Sequence, residues 1–327
     1  MRSHAARYPL PVGFELNSDT PIYVAGHRGL VGSAVWRQLE SGGCHNLIGW
    51  ASSEVDLRDR DATFDAVTTA KPEVVVVAAA KVGGILANDT YPVDFLNDNL
   101  RIQTNLFEAA HAADVPRLLF LGSSCIYPKF AEQPIPETAL LTGPLEPTND
   151  AYALAKISGL IAVRSYRRQY GRQWISAMPT NLYGPGDNFD IETSHVLPAM
   201  IRKFDAAKTS GDPVKLWGTG TPRREFLHTD DLASAVTHLL RTYDDESHIN
   251  VGTGTDVTIT ELAELVAKAV GYSGDIIWDT SKPDGTPRKL LDISKLKALG
   301  WSPQVDLADG ITDTYEWFRE NQQALRA

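Results

Sequence analysis

From Pro21 onward the chain alternates between two hydrophobic periods. Short apolar runs bounded by turn residues, at 22–25, 46–50, 73–78, 117–121 and 174–178, predict buried strands. The run Val74-Val75-Val76-Val77 has no polar alternation, as expected of a strand covered on both faces. Between these runs apolar positions recur every three to four residues. Leu30, Val31, Ala34, Val35 and Leu39 line one face of a first helix, which Gly42-Gly43 stops. Two longer patterns, at 93–113 and 152–170, predict long helices. Strand and helix alternate in this way through the first half of the chain. That repetition predicts an α/β fold, a Rossmann-type doubly wound parallel sheet.

After Asn181 the pattern is less regular. Glycine and proline cluster in YGPGDNF, GDPVKLWGTGTPRREF and TSKPDGTPRK, with helical patterns near 195–207, 230–240, 260–270 and 307–319. This predicts a smaller C-terminal α/β substrate domain, residues 181–327, after a nucleotide-binding domain at 21–180, with some later segments returning to the first sheet. Residues 1–20 have basic positions but no apolar stretch behind them, so they read as a flexible leader rather than a secretory signal.

Composition narrows the function classes. The formal charge of −10 argues against a nucleic-acid or anionic-membrane binder, while leaving room for a basic pocket that takes one small anion. The longest apolar run, 74–80, is too short to span a bilayer. Two cysteines, Cys44 and Cys125, can form neither a disulfide scaffold nor a Cys-rich zinc site, and fit a reducing cytoplasm. No metal is expected, and Cys44 reads as structural.

Candidate chemistry sits at the ends of predicted strands. The first runs into Gly26-His27-Arg28-Gly29-Leu30-Val31-Gly32 and then a helix, where bare backbone can approach a pyrophosphate and N–H groups face it. The spacing is G-x-x-G-x-x-G. NAD readers usually carry an acidic residue at the end of the second strand. Here Gly49-Trp50-Ala51-Ser52-Ser53 has none before Glu54, and Arg28 can meet a 2′-phosphate, so NADP(H) is preferred. Asp56 is a candidate for the adenine edge. Tyr152 and Lys156, four apart on a helix, share one face, and an ammonium beside a phenol is expected to lower its pKa. Ser123, after the fourth strand, can bond the same substrate oxygen.

Gly26, Gly29 and Gly32, a serine after strand four and Tyr152/Lys156 together resemble the extended short-chain dehydrogenase/reductases, which act largely on nucleotide sugars. More narrowly, GHRGLVGSA, AAAKVGGI, GSSCIYPK, LEPTNDAYALAK, MPTNLYGPGDNF, WGTGTPRREFLH and KPDGTPRKLLD resemble the epimerase–reductases of that family. Those enzymes turn GDP-4-keto-6-deoxy-D-mannose into GDP-L-fucose, inverting C3 and C5 before NADPH reduces C4. The likeness runs from Pro21 to about Phe318. It implies Ser123, Tyr152 and Lys156 for the reduction and Cys125 and His195 for the inversions, with thiol and imidazole chemistry making Cys125 the candidate base and His195 the candidate acid while leaving open which acts at each centre. It implies NADP contacts at the glycine turn, Asp56, Leu57, Leu121, Gly122, Ser123, Ser124, Lys156, Pro179, Thr180, Asn181, Leu182 and His195. The GDP-sugar falls to Lys203, Trp217, Arg224, Asp284 and Lys289; Lys203 replaces an arginine of some relatives, a point charge for a fork. A homodimer through the two long helices is also implied.

The alternatives are a nucleotide-sugar 4-epimerase or 4,6-dehydratase holding NAD, and a non-catalytic NADP-binding protein. Dehydratases of this type carry an Asp-Glu pair where Ser124-Cys125 stands, and a binding protein would have no use for Tyr152 and Lys156.

Overall fold

The computed structural model describes residues 14–190, 193–282 and 284–325. The chain begins β1 (Ile22–Ala25), α1 (Leu30–Ser41), β2 (Leu47–Ile48), α2 (Arg60–Ala70) and β3 (Val74–Val77). It continues α3 (Ile85–Thr90), α4 (Pro92–Ala112), β4 (Arg117–Leu121), α5 (Asp150–Tyr170) and β5 (Gln173–Pro179). The second half runs β6 (Asn181–Tyr183), α6 (Val196–Ser210), β7 (Val214–Trp217), β8 (Arg223–Arg224), β9 (Phe226–His228) and α7 (Thr229–Thr242). Then come β10 (Ile249–Val251), β11 (Val257–Thr258), α8 (Ile259–Val270), β12 (Ile276–Asp279), β13 (Arg288–Lys289), α9 (Ser294–Ala298) and α10 (Leu307–Leu325).

Six strands form one parallel sheet in the order β10-β5-β4-β3-β1-β2. Strand alternation sorts its side chains to two faces. Ile22, Val24, Val74, Val76, Leu119 and Leu121 enter a core with α1 and α7 residues such as Val35 and Leu239. Tyr23, Ala25, Val75, Val77, Leu118 and Phe120 enter another with Val67, Leu106, Phe107 and Val163 of α2, α4 and α5. Burial on both sides accounts for the unbroken valine run. The connection reverses between β1 and β3, and that switch point opens a crevice at the carboxyl ends of the strands, where open α/β sheets place ligands.

The later elements divide. β10 pairs with β5 and α7 packs on α1, whereas α6, α8 and α10 share a core of their own around Phe204, Val266 and Ile311. Three small sheets, β11-β8-β13, β12-β7 and β6-β9, complete this part. The 1–20 leader needs correction at its end. Phe14 and Leu16 pack against the first core, and Asn17 and Thr20 form a turn closed by Asn17 N–H donating to Thr20 Oγ1 at 3.0 Å. The fold therefore begins before Pro21, and the rest of the expected leader, residues 1–13, lies outside the described residues.

Arg117 anchors the amino end of β4 beneath α7. It is 2% exposed and donates to the carbonyls of Leu239, Leu240, Tyr243 and Gln173, with Asp244 3.8 Å away. Burial lowers its pKa to about 10, and Asp244 opposes that shift. Arg117→Met strips four carbonyls, three of them buried, of their donor and should destabilise the fold by about 3 kcal/mol in urea titration, with cofactor affinity unchanged after refolding.

Candidate active site

The turn after β1 is built for close approach. Gly26 takes φ +84°, which favours glycine, and a Cβ there would lie 2.8 Å from the Ala79 backbone. A Cβ on Gly32 would stand 2.0 Å from Gly26 O, so the turn folds tightly onto α1 only with glycine there. The helix starts at Gly29 without a side-chain cap, so its first N–H groups stay open toward the crevice. This cradle fits a dinucleotide pyrophosphate. Arg28 is exposed beside it. Glu54, the first carboxylate after β2, accepts from Ala51 N–H at 2.6 Å and so is turned to its own loop. Asp56 is held by Arg58, whose Nη2 donates at 2.8 Å and whose hydrogen bonds lower the carboxyl pKa. Leu57 offers its carbonyl to Asn105 Nδ2 at 2.9 Å.

At the end of β4, Leu121 leads into Gly122, where a Cβ would strike Met178 Sδ at 2.3 Å. Ser123 caps the short turn Ser124–Ile126, its Oγ accepting from Cys125 N–H at 3.2 Å, and Ser124 is buried. Tyr152 and Lys156 project from the first turns of α5 into the same region and are 9% and 4% exposed. Lys156 Nζ donates to Leu121 O at 3.0 Å and lies 5.8 Å from the Tyr152 ring centroid. Burial lowers the Lys156 pKa to about 8. Burial raises the Tyr152 pKa, Cys125 raises it further, and a hydrogen bond with Ser123 opposes both. The expected lowering of the phenol by Lys156 is not what this structure has, because the amine faces a carbonyl and desolvation dominates. A phenol that keeps its proton at neutral pH is suited to giving one up when an alkoxide forms beside it.

The second half of the chain supplies the opposite wall. Lys289, at the end of β13, donates to Cys125 Sγ at 3.6 Å. The loop after β3 reaches the segment before α6 through Gly84 N–H, which donates to Thr193 O at 2.9 Å. His195 follows as the N-cap residue of α6. The residue is exposed, with protein packed around it. Loss of solvation, and then the Lys289 charge, lower its pKa. Lys289 pairs in register with Arg224, whose pKa burial lowers while Glu146 and Asp284 act the other way. Asp284 accepts Thr219 N–H at 2.7 Å and Thr219 Oγ1 at 2.9 Å, clasping the loop after Trp217. Trp217 is 58% exposed, with Lys203 Nζ and Lys282 Nζ 5.9 and 5.6 Å from its centroid. A cavity of about 950 Å³ takes in Lys203 and Trp217, together with Arg202 and Phe189, but not Cys125 or Tyr152.

Two residues that the sequence reading passed over organise this site. Asn149 donates Nδ2–H to Cys125 Sγ at 3.5 Å. Glu225, fully buried, accepts N–H bonds from Thr253, Gly254 and Leu291 at 2.7, 2.7 and 3.1 Å. Its backbone carbonyl takes Asn181 Nδ2 at 2.8 Å and Thr180 Oγ1 at 3.4 Å, so both these expected cofactor contacts turn their side chains to the protein. Pro179 ends β5, and Leu182 is partly buried against the first core. Asn149, just ahead of the Tyr-x-x-x-Lys helix, carried a local signal; Glu225 carried none.

Residues 22–252 match the family described as the NAD dependent epimerase/dehydratase family. GDP-L-fucose synthase 1 of Arabidopsis thaliana is 55% identical over 315 residues, 95% of this chain and 98% of that protein. GDP-L-fucose synthase of Escherichia coli (strain K12) is 53% identical over 319 residues, 94% and 99% of the two chains. Among solved structures, a gdp-l-fucose synthetase from Naegleria fowleri bound to NADP superposes with a TM-score of 0.89 at 29% identity, covering 97% of this chain and 99% of that one.

The buried amine yields a stability test. Between about 8 and 10.5 the native amine has shed its proton while the unfolded lysine still binds one, so native stability rises with pH across that window. Lys156→Met should stabilise the cofactor-free protein at pH 7 by roughly 2 kcal/mol. Urea titrations at pH 7 and 9.5 should show that gain shrinking at the higher pH.

Proposed function

This chain belongs to the NAD dependent epimerase/dehydratase family and, within it, to the GDP-L-fucose synthases, and we infer that it is an NADPH-dependent enzyme converting GDP-4-keto-6-deoxy-D-mannose to GDP-L-fucose. The observation that carries the site assignment is one cluster holding two kinds of chemistry. Ser123, Tyr152 and Lys156 form a reductase set, and Cys125 beside them meets Lys289, whose charge acts on His195.

Gly26, Gly29 and Gly32 would hold the pyrophosphate, Arg28 a 2′-phosphate and Lys156 the nicotinamide ribose. When bound, NADPH supplies the hydride for C4. The ketone at C4 acidifies the hydrogens at C3 and C5, since loss of either gives an enolate. Inversion requires a proton to leave one face and another to arrive on the opposite face. Cys125 is our candidate for removing it, and His195 for delivering its replacement. Ser123 O–H donates to the carbonyl oxygen and steadies the enolate. Tyr152 then gives its proton to the new C4 alkoxide. Arg224 and Lys203 would take the diphosphate, with Trp217 covering the base. A 4,6-dehydratase is not favoured, because Ser124-Cys125 stands where it needs two carboxyl groups, and a 4-epimerase would have no use for Cys125 and His195.

In this reading residues 21–180 bind NADP and residues 181–327 bind the sugar nucleotide, with β10 and α7 lent back to the first sheet. A homodimer finds support in Leu154 and Ile161, seven apart on α5 and 48% and 38% exposed. A cytoplasmic setting finds support in two free thiols. No described helix is long and apolar enough to cross a membrane.

NMR of the product formed with NADPH in deuterated water tests the conversion. Deuterium at C3 and C5 with the L-fuco configuration is expected, and an unlabelled or D-configured product overturns it. Tyr152→Phe should lose turnover by about 10²- to 10⁴-fold while NADPH binding, followed by fluorescence, survives. Because the imidazole pKa of His195 is lowered, its acid form falls away as pH rises through that value. Exchange that depends on His195 as the acid should therefore decline with rising pH, and His195→Asn should flatten that limb.

A further inference from the structure

Asparagine is among the favoured N-cap residues because its side-chain oxygen accepts a free N–H of the first helical turn. Asn149 occupies that position on α5 and makes no such bond. Its Nδ2–H points instead at the Cys125 sulfur, and its Oδ1 is buried without a hydrogen-bond partner. Both features are unfavourable locally: one leaves the helix start without its side-chain cap, the other leaves a carbonyl oxygen unpaired. Departures of this kind concentrate where function holds them in place.

The consequence lies at the sulfur. The turn Ser124–Ile126 fixes the backbone of Cys125, and Ser123 Oγ accepts its N–H, leaving one torsion to aim Sγ. Two donors meet that atom, Asn149 Nδ2 at 3.5 Å and Lys289 Nζ at 3.6 Å. Lysine reaches it through four flexible carbons. Asn149 reaches it through one, from the end of the helix that also carries Tyr152. The short connection fixes the direction of the sulfur relative to the phenol.

We infer that Asn149 is a positioning residue for the inversions, its amide aiming the Cys125 sulfur at the substrate carbon while taking no part in hydride transfer. This rests on the conversion proposed above. Two steps separate the roles. Deuterium exchange at C3 and C5 of the 4-keto substrate reads proton transfer. Single-turnover oxidation of GDP-L-fucose by NADP⁺ reads the hydride step in reverse, without inversion.

Asn149→Asp keeps the shape and a good cap but removes the N–H donor; Asn149→Ser keeps a cap and withdraws from the sulfur. Both should slow exchange by about 10- to 100-fold, the loss expected from a misaimed group. Oxidation of GDP-L-fucose and NADPH affinity should stay within about threefold of the unmodified enzyme. Wild-type exchange in both variants, or a parallel loss of exchange and oxidation, overturns the positioning role. If the unmodified enzyme itself neither exchanges nor oxidises GDP-L-fucose, the functional reading fails, and this inference with it.

Discussion

One buried carboxylate joins the two halves of this protein at the place where chemistry is arranged. Glu225 has no solvent to stabilise its charge, and burial raises its pKa while the N–H groups of Gly254, Leu291 and Thr253 oppose that shift. Gly254 and Thr253 follow the last strand of the parallel sheet, and Leu291 lies just beyond Lys289. A carboxylate withdrawn from water is tolerable only when such donors surround it. The requirement works in both directions: the charge needs two backbone segments, 253–254 and Leu291, and those segments are fixed by needing the same acceptor. The strand carrying Lys289 is thereby held against the sheet edge that carries Cys125.

The location of the site follows from strand direction. In a parallel sheet all carboxyl ends face one way, so the turns after β1, β3, β4 and β5 open on a single edge. Ser123, Cys125 and the glycine turn reach it directly, and α5 brings Tyr152 and Lys156 from one face. His195 and Lys289 have no strand in that sheet and arrive from the opposite wall. A hexose ring between the walls would have hydride chemistry supported mainly by the sheet and proton chemistry shared across the gap. In the proposed roles, both inversions depend on how the halves meet, whereas reduction depends chiefly on the first.

What the sequence made legible was local. The valine run, the glycine turn and the four-residue step from Tyr152 to Lys156 each carry their physics within a few neighbouring positions, and their elements formed within a few residues of expectation. What it hid was long-range. Glu225 is one acidic residue in REF, and nothing nearby announces that its partners lie some 30 and 65 positions onward. The link between Lys289 and Cys125 spans 164 residues. Tyr152 departs from its local pattern for the same reason: helical spacing puts an ammonium on its face, but the Leu121 carbonyl that holds the amine belongs to another element. The start of the fold, ahead of Pro21, is likewise hidden, because Phe14 and Leu16 are isolated apolar residues whose partners are distant.

The placement of the two thiols has a chemical corollary. Cys44 is 1% exposed in the core with α1, and Cys125 stands at the cleft between one amine and one amide. A peroxide entering the cleft meets one sulfur and no resolving partner beside it, so a sulfenic acid formed there must wait for an external thiol such as glutathione or proceed to irreversible acids. In the roles proposed above, oxidation at this sulfur would remove the inversion base while Ser123, Tyr152 and Lys156 keep their places.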